Sequence, residues 1–196
     1  MVRFAEKVAR ALRLNTKQVA VCACFGGLAF TLRAVNWVIP IGGPFVIDLR
    51  GLPGVVGAAV SGPVGGLIVG VLAGFPAALP IVDVPSFALA YFLVGFFARV
   101  LSKFKWLSGL AVLVGYPVAA FIVWRLGLVP SFVTAFLLVI PRALVVVPLQ
   151  LILLAAIFAR WPNIVDLVDG KIARTPLKNL RAFILFKRVK FKTPYF

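Results

Sequence analysis

The chain has 196 residues, 63% of them hydrophobic and only 13% charged, with a mean hydropathy of +1.11. Soluble domains are about 45–50% apolar and about 25% charged, so this inventory builds no aqueous surface and the bilayer is the expected solvent. A net charge of +16 would suggest nucleic acid on a soluble chain. Here the cations gather at the two ends and in one internal segment, as loops on one side of a membrane do, and no nucleic-acid partner is expected.

Five cations, Arg3, Lys7, Arg10, Arg13 and Lys17, open the chain as an amphipathic lead-in. The apolar stretch behind them is too long for a signal peptide, and from Gln18 to about Val35 it predicts a first spanning helix. Ala20/Cys24, Cys22/Gly26 and Ala23/Gly27 are small-x-x-x-small pairs, which let a neighbouring backbone approach closely. Cys22 and Cys24 point roughly 200° apart on a helix. Histidine is absent, so neither a zinc nor a haem site of the N/S type is expected, nor any cofactor.

Asn36 to Gly54 reads as a long irregular connection, rich in Pro and Gly and carrying Asp48 and Arg50. Such a segment is tolerated at membrane depth only against protein or a water-filled cavity. Leu52–Ser61 and Val64 to about Leu79 are two short apolar runs whose Gly62-Pro63 junction predicts a helical hairpin. Gly66, Gly70 and Gly74 form a ridge for close packing. After an interruption carrying Asp83, further runs cover Phe87–Val100, Trp106–Trp124 and Ser131–Ala159. The last contains Pro141, Arg142, Pro148 and Gln150.

Six runs of this kind predict an all-α integral membrane protein of six transmembrane helices, near the roughly 20 residues that a spanning helix needs. Residues 1–162 would form one substrate-binding transmembrane domain. Residues 163–196 would form a basic cytoplasmic tail, alternating Leu177, Leu180, Phe183, Ile184 and Phe186 with cations as a surface-bound amphipathic helix does. The lead-in, the segment after the fourth run and the tail from Arg160 hold 17 cations, against 3 in the opposite connections (Arg33, Arg50, Arg125). Positive ends stay inside, so both termini are expected in the cytoplasm of a multi-pass cell-membrane protein.

Arginine at the centre of a spanning helix costs about 2.5–3.5 kcal/mol on insertion scales. Arg142 sits ~17 Å down the last helix, counted from Ser131 at 1.5 Å per residue. It should therefore face the bundle interior, either to anchor a ligand carboxylate or phosphate or to pair with Asp48 or Asp83. Asp83 suits a helix cap or a ligand amine; Asp48 suits loop support through Arg50 or a ligand contact. Asn36, Trp37, Tyr91 and Gln150 complete the candidate substrate-binding set, with Trp37 able to stack on a flat heterocycle. Tyr116 is a further polar candidate, while Trp106, Trp124 and Trp161 suit the interfacial belt.

The stretch IPIGGPFVIDLRGLPGVVGAAVSGPVGGLIVGVLAG, from Ile39 to Gly74, resembles the substrate-binding S component of energy-coupling factor (ECF) vitamin transporters. An external loop with an aspartate (Asp48) leads to a proline-started short helix (Leu52-Pro53), a G-P turn (Gly62-Pro63) and a glycine-rich third helix. The resemblance implies an external pocket that binds one small water-soluble vitamin or cofactor precursor. It also implies partners, namely a transmembrane coupling subunit and two ATPases, and no catalysis by the chain itself. Ala20, Ala23, Cys24 and Gly27 would then form the coupling face. The alternative is a stand-alone permease or channel, oligomeric through the Gly66/Gly70/Gly74 ridge. A membrane-embedded enzyme is disfavoured, since Asp48 and Asp83 are the only acids away from the two ends.

Overall fold

The computed structural model describes residues 14–42, 45–101 and 103–170 and is mostly helical. The basic lead-in before residue 14 and the tail beyond residue 170, with its amphipathic pattern, lie outside the described residues. Helix α1 spans Thr16–Ala34, strands β1 and β2 span Val38–Gly42 and Phe45–Asp48, and helices α2 and α3 span Gly51–Ser61 and Pro63–Gly74. Helix α4 spans Pro80–Val100, a 3-10 helix covers Lys105–Val114, α5 continues over Gly115–Arg125, α6 spans Phe132–Arg160 and α7 covers Ile164–Val168.

Three of these elements are long and apolar enough to cross a membrane: Pro80–Val100, Lys105–Arg125 and Phe132–Arg160. Their surfaces support lipid as solvent. In α6 only 22% of the most apolar window is buried, and Val133, Leu137, Leu144 and Ile152 are all exposed. Helices α2 and α3 are apolar but shorter.

Helix α1 begins at a capping box, in which the Asn15 side chain accepts from Gln18 N at 2.9 Å and Gln18 Oε1 accepts from Asn15 N at 2.8 Å, meeting two backbone donors that a helix start leaves open. Helices α2 and α3 fold back on each other at Gly62, whose φ of 94° is a conformation that glycine adopts without steric cost. Arg99 of α4 closes this turn, donating to Ala59 O at 3.2 Å and Val60 O at 3.0 Å, a cation on the open carbonyls of a helix C-terminus. Arg99 also donates to Asp169 Oδ1 at 2.6 Å, which Gln18 Nε2 reaches at 2.9 Å. One carboxylate thus gathers α1, α4 and the residues after α7.

The glycine ridge of α3 faces α4. A Cβ at Gly70 would lie 2.5 Å from Phe87 O, and one at Gly74 would lie 2.6 Å from Val84 Cα. Only glycine permits backbones this close. The ridge is consumed inside the bundle, so it is not the oligomer face that the permease reading assigned to it.

Three other expectations need correction. Residues 38–42 and 45–48 are not irregular: β1 and β2 pair antiparallel, Ile39 opposite Ile47 and Val38 opposite Asp48, with a register shift between Pro40 and Gly42. The β-branched residues on both sides of a Gly-Gly-Pro break favour strand pairing, and proline is tolerated at a sheet edge. Helix α4 starts at Pro80 rather than Phe87, because a proline at the first helical position costs no hydrogen bond. It runs through Pro85, beside which Ser86 Oγ donates to Val82 O at 2.6 Å. The fifth run is 3-10 from its start to Val114, where each residue rises about 2.0 Å instead of 1.5 Å.

Candidate functional site

A cavity of about 250 Å³ lies between the three long apolar elements. Its walls are mainly apolar: Val82 and Ala90 from α4, Val112 and Ala119 from the 3-10 helix and α5, Val139 and Val146 from α6. Polar groups converge on it from every side, with Asp83 and Ser86 on α4, Tyr116 on α5, Arg142 and Gln150 on α6, Asp48 at the end of β2 and Gly51 at the start of α2.

Arg50 organises the charges from behind this wall. It is 1% exposed, with Nε 2.7 Å from Asp48 Oδ2 and Nη2 2.5 Å from Asp83 Oδ2. Nη1 donates to Ala73 O at 2.6 Å, and the guanidinium carbon sits 4.5 Å from the centre of the Phe87 ring. A planar fork of donors suits this work, and a lysine's point charge does not. Asp48 Oδ2 is also approached by Arg142 at 3.5 Å and Arg33 at 3.8 Å. Asp48 additionally accepts from Arg50 N at 3.1 Å, which ties the strand end to the start of α2.

Gln150 lies deep in the wall, 1% exposed. Its Nε2 donates to Gly51 O at 2.9 Å, while its Oε1 has no hydrogen-bond partner. Buried polar atoms are nearly always paired, so an unmatched acceptor on a cavity wall invites a donor. Arg142 Nε is likewise buried without an acceptor.

Of the residues singled out from the sequence, Asp48, Asp83, Tyr116, Arg142 and Gln150 meet at this cavity. Tyr91 is fully buried just outside the lining and donates to Gly51 O at 3.3 Å, so it braces the site. Asn36 and Trp37 do not reach it. Asn36 is exposed at φ 52° and accepts from Arg33 at 3.1 Å, and Trp37 is 61% exposed. Asp83 is not a cap. It lies in the first turn of α4 with no capping bond and binds Arg50 instead. Ser86, Phe87 and Gly51 were not anticipated, since nothing in their local sequence separates them from ordinary helix residues. Among the described residues, no group of three His, Cys, Asp or Glu side chains converges as a metal site requires.

The small residues of α1 divide into two faces. Cys22, Gly26 and Ala29 are buried in the bundle, where a Cβ at Gly26 would meet Leu72 Cδ1 at 2.7 Å. Ala20, Ala23 and Cys24 are exposed, and an added Cβ at Gly27 meets nothing within 4 Å. Neither the known family models, nor the characterised proteins, nor the solved structures compared with this chain yield a match.

Proposed function

We propose that this chain is a substrate-binding membrane subunit of the energy-coupling factor type, which takes up a small water-soluble vitamin or cofactor precursor. It acts as six membrane passes with both termini in the cytoplasm and catalyses no reaction itself. The observation that carries the reading is the cavity: a metabolite-sized space among apolar helices, with Arg142, Gln150 and Asp83 on its wall. Few precisely placed polar groups in an apolar concavity are what small-molecule sites share, and ionisable groups inside a membrane bundle mark substrate paths.

Two further features support it. The cavity lies toward the cation-poor ends of the helices, which the distribution of lysine and arginine assigns to the outside. The small-residue face of α1, with Ala20, Ala23 and Cys24 exposed and open space above Gly27, leaves a strip on which a coupling subunit's helix would pack closely.

Affinity purification of the tagged chain from its native membrane tests the reading. The expected result is recovery of a second membrane protein and two ATPases, together with ATP-dependent uptake by the reconstituted complex. Recovery of the chain alone as copies of itself, with ion conduction in liposomes, would make it a stand-alone permease or channel.

A further inference from the structure

We infer that the cavity takes a small organic monocarboxylate, its anionic group at Arg142 and an N–H or O–H donor at its other end meeting Gln150. The inference rests on the cavity being a ligand site and names what it selects.

The charges decide the sign. Around Asp48 and Asp83 stand three guanidiniums, Arg33, Arg50 and Arg142, so the described residues there carry one positive charge in excess. Arg50 engages both carboxylates at 2.7 and 2.5 Å. Arg142 shares Asp48 only at 3.5 Å, lines the cavity with its side chain 30% exposed and keeps a buried Nε with no acceptor. In a low-dielectric wall such a guanidinium favours an anion that accepts from it side-on. One incompletely matched guanidinium suits a monoanion.

Gln150 decides the other end. A carbonyl cannot donate, so the contacts of Gly51 O with Gln150 Nε2 and Tyr91 Oη fix which amide atom faces it. They leave Oε1 as an acceptor without a donor. Arg142 and Gln150 are separated by about 12 Å of helical rise, with Val146 on the wall between them. A ligand bridging them has an apolar body with its polar groups at opposite ends.

The test uses the full chain in lipid nanodiscs and four probes: indole-3-acetate, indole-3-acetamide, 1-methylindole-3-acetate and tryptamine. Binding is read by thermal shift and isothermal titration. Indole-3-acetate should bind at least about tenfold more tightly than the uncharged amide or the N-methyl acid, each of which leaves one protein group unmatched. Arg142→Gln should erase the preference for acid over amide, Arg142→Lys should keep part of it, and Gln150→Leu should erase the preference for N–H over N-methyl. Ala119→Phe, which fills the cavity without touching a charge, should abolish binding of all four.

Tighter binding of tryptamine than of the acid overturns the inference and leaves the cavity as a ligand site. So does a cationic or neutral molecule retained on the freshly purified protein in native mass spectrometry. If no probe binds and no molecule is retained, the proposed binding function falls with it.

Discussion

Arg50 Nη2 meets Asp83 Oδ2 at 2.5 Å, joining the residue that precedes α2 to the first turn of α4. With Asp48 bound to the same guanidinium, the strand end and the two helices share one buried ion cluster beside the cavity. Its members come from the end of β2, the residue before α2 and the first turn of α4, and among the described residues neither acid has another charged partner as close.

Removing the cation should therefore be costly. Arg50→Met leaves Asp48 with the backbone N–H of residue 50 and, among the described residues, only the more distant guanidiniums of Arg33 and Arg142, and Asp83 with no guanidinium among its described contacts. Breaking a buried pair in this way costs about 3–5 kcal/mol, to be measured by thermal unfolding in detergent. Adding Asp83→Asn to Arg50→Met should recover part of that loss. A double variant no more stable than Arg50→Met alone would show that the pair does not couple.

The glycine ridge gives a contrast within one protein. Gly70→Ala pushes a methyl group into the α4 backbone, and overpacking of this kind costs about 1–3 kcal/mol. Gly27→Ala enters open space and should cost nothing measurable. Equal melting temperatures for the two variants would contradict the packing of α3 on α4.

At the opposite end of the bundle, Gly62→Ala should destabilise for two reasons at once. The φ of 94° strains a side-chain-bearing residue by about 1–3 kcal/mol, and the new methyl would lie 2.6 Å from Arg99 Cζ. Asp169→Asn should add a separate loss by removing the carboxylate that Arg99 and Gln18 share. Proteolytic nicking near residue 62, faster in both variants than in the parent, would report the opened turn.

Function and stability should separate on α1. Gly27→Leu and Ala23→Leu enlarge an exposed strip without touching the cavity, so ligand affinity and melting temperature should stay at the parent values. Uptake by the assembled complex should fall severely, because a leucine holds a partner helix away from a small-residue face. Parallel loss of binding and uptake would make the first helix merely structural.

Much of the architecture was legible in the residues. Apolar run lengths indicated helices in lipid, and Gly62-Pro63 marked a hairpin turn because few other sequences reverse a helix so abruptly. The β-hairpin was not legible, since the prolines and glycines of residues 36–54 outweighed a β-branched pattern only a few residues long. The start of α4 was hidden by Pro80 and Pro85, which read as breaks although the first is a good helix opener. For the site, an arginine deep in an apolar run at position 142 had to face something. Which acid it faced depended on distances that no spacing rule supplies.

Composition and the order of charges by themselves determined that this chain belongs in lipid, because hydropathy and net charge are sums over residues that need no neighbours. Only the tertiary structure decided that Arg50, not Arg142, holds both aspartates, that Trp37 stays outside, and that Gln150 of the cavity wall keeps a buried acceptor without a donor. Those outcomes depend on which side chains from distant segments arrive within about 3 Å of one another, the range over which a hydrogen bond or close ion pair acts.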